Sequence, residues 1–210
     1  MSIIGLASVS STVTVALLSF TFDYKQPYFK WIQFYCLLNG FLELVSYLLA
    51  EYYLNNIWCF YVSIFIELFF VLNFFRVISP RLHRSLNHWT FITIYTILVV
   101  ALFISKDHSY LNPNPSIVEG ITIFLCCLMF FSEELKSLKY THIIKEPVFW
   151  FVGAFFTYYG SSWLLLFSTN YLLNSKSFLN IWDVQNLFNL VKYIIIVVGF
   201  ICLKQAQKVL

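Results

Sequence analysis

A lysine near the middle of an apolar segment is the feature that most constrains this chain. Lys192 lies in a run of helix-compatible residues from Ile181 to Leu203, about 16 Å from either end at a helical rise of 1.5 Å per residue. An ammonium group at that depth is costly in a bilayer, and the side-chain stem is too short to carry it to the interface. Lys192 therefore requires a partner or a wet cavity inside a helical bundle.

The composition places the chain in a membrane. Apolar residues make up 60% of its 210 residues and charged residues 11%, whereas a soluble domain carries about a quarter charged residues. Its hydrophobic segments predict an all-α integral membrane protein with seven transmembrane helices, although serines and threonines between Ser8 and Thr14 dilute the first. The predicted spans are 2–21, 29–50, 57–78, 89–105, 115–132, 147–173 and 181–203.

The distribution of basic residues predicts the orientation of these spans. The loops on one side and the C-terminal tail carry ten: Lys25, Lys30, Arg76, Arg81, Arg84, Lys136, Lys139, Lys145, Lys204 and Lys208. The opposite loops carry Lys106 and Lys176. Because cytoplasmic loops are enriched in Lys and Arg, we expect the N-terminus outside and the C-terminus in the cytoplasm. The lipid bilayer is the expected environment, and the basic loops require no nucleic acid to explain them.

Two parts of the chain share an order of short motifs, which predicts an internal repeat. The matching pairs are Asn56-Ile57-Trp58 with Asn180-Ile181-Trp182, Pro27 with Pro147, and Gly40 with Gly160. If the fourth span is an inversion linker, both triplets of spans share one orientation and the repeat is parallel. The single domain, 1–210, then divides into repeat one at 1–78, a linker helix at 79–110 and repeat two at 111–210.

The span order resembles that of the three-plus-one-plus-three carriers, namely the SWEETs, other PQ-loop proteins and the nicotinamide riboside carriers. The resemblance is architectural and implies no substrate, because the Pro-Gln dipeptide is absent and Gln26-Pro27 has the reverse order. The chain is also similar to small uncharacterised seven-helix membrane proteins of Bacteroidota, on the residues from Phe149-Trp150 to Asn170-Tyr171 and on Trp182, Asn189 and Tyr193. The second resemblance implies a multi-pass protein of the bacterial inner (cytoplasmic) membrane.

Polar residues within the spans predict a site inside the bundle. On span seven Gln185, Asn189 and Lys192 share one helical face. In the repeat Glu67 falls beside the position that matches Lys192, and Glu43 on span two is the alternative partner for the lysine. The predicted substrate-binding residues are Lys192, Glu67, Asn189, Gln185, Glu43 and Asn39. The alternative role for the charged residues is a structural pair that holds helices together, and Glu119 and Asp183 are expected to be solvated or interfacial.

The sequence lacks the motifs of the usual intramembrane enzymes. Its histidines all fall in predicted loops, and it has no Gly-x-Ser-x-Gly elbow or glycine-rich phosphate loop. Lys192 resembles the lysine that holds retinal in opsins, but Phe188 stands where those proteins usually place an aspartate. We therefore expect a protein that is not an enzyme, with no catalytic residues, no cofactor and no bound metal.

Two functions fit this pattern. The first is a carrier of a small polar or ionisable solute, which works by alternating access between the two repeats. In it Lys192 binds an anionic group of the solute or exchanges partners with Glu67. The alternative is a seven-helix membrane sensor, or partner-binding subunit, that signals to a separate cytoplasmic or membrane protein.

Overall fold

The computed structural model describes residues 2–22, 26–79, 114–137, 143–172 and 178–207. Within these ranges the chain is helical and has no strand, so the all-α prediction is confirmed. The helices are α1 (Ile3–Ser19), α2 (Pro27–Glu51), α3 (Ile57–Ile78), α4 (Asn114–Ser137), α5 (Pro147–Leu172) and α6 (Phe178–Gln207), with a 3₁₀ helix at Ile143–Lys145. The predicted fourth span and most of the loops whose charges set the orientation lie outside the described residues.

Several of these helices are suited to a bilayer. By length and composition four stretches of the described chain could cross a membrane: Pro27–Glu51, Ile57–Ile78, Pro115–Lys136 and Trp182–Gln205. α1 is apolar but shorter, with 17 residues. Large apolar side chains stand exposed on the helices, among them Leu17 at 66% and Phe41 at 60%. Such surfaces suit contact with lipid, and they support the prediction of a transmembrane protein.

The helix starts follow from the local sequence. The side chain of Ser2 accepts a hydrogen bond from the backbone N–H of Gly5, which caps α1. Pro27 begins α2 and Pro147 begins α5, because proline has the backbone angle of a first helical turn and no N–H to leave unpaired. Before α3, the side-chain oxygen of Asn55 accepts a hydrogen bond from the N–H of Ile57.

The described helices form a closed ring in chain order. Each helix packs against the helices before and after it, and α6 packs against α1. Two glycines permit close approach at corresponding places. A Cβ atom on Gly40 of α2 would lie 2.9 Å from the Cβ of Ala16 on α1, and one on Gly160 of α5 would lie 3.0 Å from the Phe124 ring on α4. Each glycine thus lets its helix pack closely against the preceding one.

Helices α3 and α4 run in the same direction. Directly after α3, the Ser79 hydroxyl donates a hydrogen bond of 2.7 Å to Glu133, near the end of α4. Near the other ends of these helices, Ser63 and Ser116 line the same cavity. The chain therefore leaves α3 at one end of the bundle and enters α4 at the opposite end.

A cluster of phenylalanines lies in the half of the bundle where α2 and α5 begin. Its members, called the aromatic cluster below, are at most 1% exposed: Phe29, Phe74, Phe151, Phe155 and Phe200. The Phe74 ring meets the Phe151 and Phe155 rings edge to face, at centroid distances of 6.4 and 5.8 Å. Phe200 meets Phe29 and Phe151 in the same way. Edge-to-face packing of this kind stabilises aromatic pairs beyond the area they bury.

Candidate functional site

A central cavity of about 180 Å³ lies in the other half of the bundle. Side chains from α2, α3, α4, α5 and α6 line it, and the lining reaches from mid-bundle to the helix starts at Ser116 and Trp182. Since liquid water occupies about 30 Å³ per molecule, there is room for about six molecules of that size. Among the predicted site residues, Asn39, Glu43, Glu67, Gln185 and Asn189 line this cavity.

Lys192, the sixth predicted site residue, lies next to the cavity but does not line it. It is 1% exposed. Its Nζ atom is 4.0 Å from the centre of the Tyr158 ring, 4.7 Å from that of Tyr193 and 5.5 Å from that of Tyr35. The electron-rich faces of aromatic rings attract a cation. Three tyrosines therefore surround the ammonium group, and Tyr158 also lines the cavity.

The expected ion pair of Lys192 with Glu67 or Glu43 is not formed among the described residues. Glu67 accepts a hydrogen bond from the hydroxyl of Tyr159. Glu43 accepts one of 2.6 Å from the Asn189 side-chain amide. Polar groups on other helices satisfy the carboxylates, and the tyrosine rings surround the ammonium.

Asn189 joins three helices at the cavity wall. Its amide nitrogen donates to the Ser8 hydroxyl on α1 at 2.9 Å and to Oε1 of Glu43 on α2 at 2.6 Å. Thr12, one turn after Ser8, donates to Oε2 of the same glutamate at 3.1 Å. Two of the hydroxyl residues that weaken α1 as a hydrophobic segment, Ser8 and Thr12, thus face the site, a role that was not predicted from the sequence.

Gln185 links α6 to α5. Its amide nitrogen donates to the Tyr158 hydroxyl and to the Ser162 hydroxyl, each at 3.0 Å. The side-chain oxygens of Gln185 and Asn189 are buried and have no hydrogen-bond partner among the described residues. Both residues line the cavity, so two unpaired acceptors belong to its wall.

Glu119 adds a third carboxyl group to the cavity, and its predicted solvated or interfacial position is wrong. The residue is 2% exposed and lines the cavity. Its Oε1 atom has no hydrogen-bond partner in the described part of the chain. The sequence placed Glu119 near a helix end, but it did not reveal that α4 is rotated to turn this residue into the ring. Asp183, by contrast, accepts a hydrogen bond from Ser2 at the helix starts.

The tyrosines of the site were not predicted from the sequence. Tyr35, Tyr159 and Tyr193 are buried and Tyr158 is half-buried. Each of the four contacts Lys192 or Glu67. The chain has 14 tyrosines, and an aromatic residue in a membrane helix is ordinarily a packing or interface residue. A modest signal was available in Tyr158-Tyr159, which lie directly before the small residues Gly160-Ser161-Ser162.

Comparisons with known proteins give no relative for this chain. No protein-family model, no curated protein and no solved structure matches it. The resemblances to the three-plus-one-plus-three carriers and to the Bacteroidota proteins therefore stay predictions. Within the described ranges, no group of three or more His, Cys, Asp or Glu side chains is arranged to hold a metal ion.

Proposed function

We propose that this protein is a carrier of a small polar or ionisable solute, and that the central cavity is its binding site. The observation that carries this proposal is the convergence of polar side chains from five helices on one cavity at the middle of the bundle. Glu67 is the eleventh of the 22 residues of α3, so the site reaches the depth at which secondary carriers bind their substrates.

The packing around the cavity suits alternating access. Along α3, Glu67 lines the central cavity, Phe74 belongs to the aromatic cluster, and Val77 lines a second cavity of about 170 Å³ at the other end of the bundle. Tyr159, Phe155 and Val148 follow the same order on α5. The aromatic cluster thus separates two cavities, as expected of a carrier that is closed towards one side of the membrane.

The finer architecture forms part of this proposal. Because α3 and α4 are parallel, a crossing by the predicted span 89–105 connects them naturally, which gives seven spans. The predicted parallel repeat agrees with the ring order and with the corresponding placement of Gly40 and Gly160. Tyr35 and Phe155, each eight residues after the proline of its helix, meet at a centroid distance of 5.2 Å. In the predicted orientation the central cavity lies on the outer side.

Uptake into proteoliposomes tests the proposal. Purified protein, reconstituted and offered a panel of small radiolabelled metabolites, should accumulate or exchange at least one of them, and Glu67→Gln should abolish that flux. Glu51→Gln is the matched control, because Glu51 is an exposed carboxylate at the end of α2 that does not line the cavity. Specific binding without flux for any panel member would overturn the carrier and favour the sensor.

A further inference from the structure

The charge of the central cavity differs from what a lysine-based site implies. Its described lining contains three glutamates, Glu43, Glu67 and Glu119, and no basic side chain. Lys192 does not line it and lies against tyrosine rings. Carboxylates in one site repel one another when ionised, and a bound cation removes that repulsion. The charge of the wall therefore favours a positively charged occupant.

The unpaired polar atoms of the wall point to the same kind of occupant. Among the described residues that line the cavity, the buried oxygens without a hydrogen-bond partner are Oε1 of Glu119, Oε1 of Gln185 and Oδ1 of Asn189. The amide oxygens of Gln185 and Asn189 are acceptors, and their amide nitrogens already donate elsewhere. Oε1 of Glu119 is an acceptor when the carboxyl group is ionised. A buried polar group without a hydrogen bond is costly. A ligand that donates hydrogen bonds would satisfy these oxygens, whereas an anion that only accepts would not.

Aromatic residues in the lining further restrict the chemical class of the occupant. Phe60 and Trp182 line the cavity together with the carboxylates. Organic ammonium groups are recognised by aromatic faces combined with carboxylates. The cavity volume of about 180 Å³ is below the range of about 300–1,000 Å³ typical of drug-sized ligands, so the occupant is small.

We propose that the central cavity binds a small organic ammonium ion between its three glutamates and its aromatic wall. This inference rests on the proposed function, since it names the substrate class of the same site. It also changes the role expected for Lys192. The lysine balances part of the negative charge from behind the tyrosines and does not touch the solute.

Three probes of nearly the same shape but different charge test whether the cavity prefers a cationic ligand. Choline is the cation, 3,3-dimethyl-1-butanol is its neutral isostere, and 3,3-dimethylbutyrate is the anion. Titration calorimetry on the purified full chain in detergent at pH 7 should show choline binding at least about tenfold more tightly than either of the others. Ethanolamine, protonated at this pH, extends the test to a primary ammonium, whose N–H groups can donate to the unpaired oxygens, whereas choline donates only through its hydroxyl. Equal or tighter binding of the neutral or anionic probe, or no binding of either cation, would overturn the proposal.

Variants of the cavity glutamates then test whether the preference for choline arises in the central cavity. Glu119→Gln keeps the size of the side chain and should lower choline affinity about tenfold, while any binding of the neutral isostere stays unchanged. Glu51→Gln, outside the cavity, should leave both affinities unchanged. If Glu119→Gln does not fold, Glu43→Gln provides the same comparison. An unchanged choline affinity in the folded cavity variant would show that the cation binds elsewhere, which would overturn the assignment.

The failure of this inference can be told apart from the failure of the carrier function. Preferential choline binding without flux of any solute in proteoliposomes would support the ammonium site and overturn the carrier. Flux of neutral or anionic solutes, together with no preference for choline, would support the carrier and overturn the ammonium site.

Discussion

The Nζ atom of Lys192 lies 4.0 Å from the centre of the Tyr158 ring, and the hydroxyl of the same tyrosine accepts a hydrogen bond from Gln185. One side chain thus contacts the buried charge through its ring face and the polar wall of the central cavity through its edge. We therefore expect a change at Lys192 or at Gln185 to affect the other residue through Tyr158.

The ring of Tyr158 should stabilise the fold through Lys192. Tyr158→Leu should lower the free energy of unfolding, whereas Tyr158→Phe, which keeps the ring, should retain most of it. In a double-mutant cycle with Lys192→Met, the coupling energy should be about 1–2 kcal/mol, as expected for a desolvated cation over an aromatic face. Reversible unfolding in mixed micelles measures these differences. Strictly additive losses would mean that the ammonium gains nothing from the ring.

Asn189 should contribute more to the stability of the fold than its neighbour Asn186. Asn189→Leu removes the hydrogen bonds to Ser8 and Glu43 that tie α6 to α1 and α2, and should cost about 1–2 kcal/mol of stability. Asn186 also lines the cavity but joins no such network among the described residues, so Asn186→Leu should change stability by less than about 0.5 kcal/mol. The same unfolding measurement ranks the two variants, and equal losses would contradict the network.

Two glycines give a matched test of the ring packing. A methyl group at Gly40 would lie 2.9 Å from the Cβ of Ala16, whereas at Gly153 it would meet nothing within 4 Å. Gly40→Ala should therefore cost about 1–3 kcal/mol through overpacking. Gly153→Ala should be neutral or stabilising by up to about 1 kcal/mol, since alanine favours the helix. Melting temperatures in detergent should differ accordingly, and a harmless Gly40→Ala would refute the close contact of α1 and α2.

The orientation can be tested independently of the site. A reporter fused after Leu210 should be active in the cytoplasm, and one inserted in the loop 106–114 should be active outside, because ten basic residues lie on one predicted side and two on the other. Reporter activity on the same side at both positions would contradict the model of seven spans.

The sequence was informative about which segments form helices and about which polar residues lie deep within them. Hydrophobic runs, Pro27, Pro147 and the Asn-Ile-Trp motifs located the helices to within a few residues, since apolar length and first-turn chemistry are local properties. Polar residues inside such runs must face one another or a cavity. Asn39, Glu43 and Glu67 were predicted on this basis, and all three line the central cavity.

The rotation of a helix about its axis and the contacts of Lys192 could not be predicted in the same way. Glu119 faces the cavity because of how α4 packs against α3 and α5, which no local pattern encodes. The partner of Lys192 was expected to be a carboxylate because opposite charges attract, but tyrosines from α2, α5 and α6 surround it instead. Which group reaches a buried charge first depends on side-chain geometry across helices, and 14 tyrosines offered no pattern to choose among.

The parallel course of α3 and α4 has a consequence for how the chain can be divided. Each half carries its own basic residues on the same predicted side, among them Lys30 and Arg76 in the first and Lys136 and Lys145 in the second. Two polypeptides separated between Ser79 and Asn114 would therefore receive the same insertion signal without help from each other. The two halves would still contact each other within the bilayer, where α3 packs against α4 and α1 packs against α6. Co-expressed as separate genes, the halves are equipped to assemble as a heterodimer.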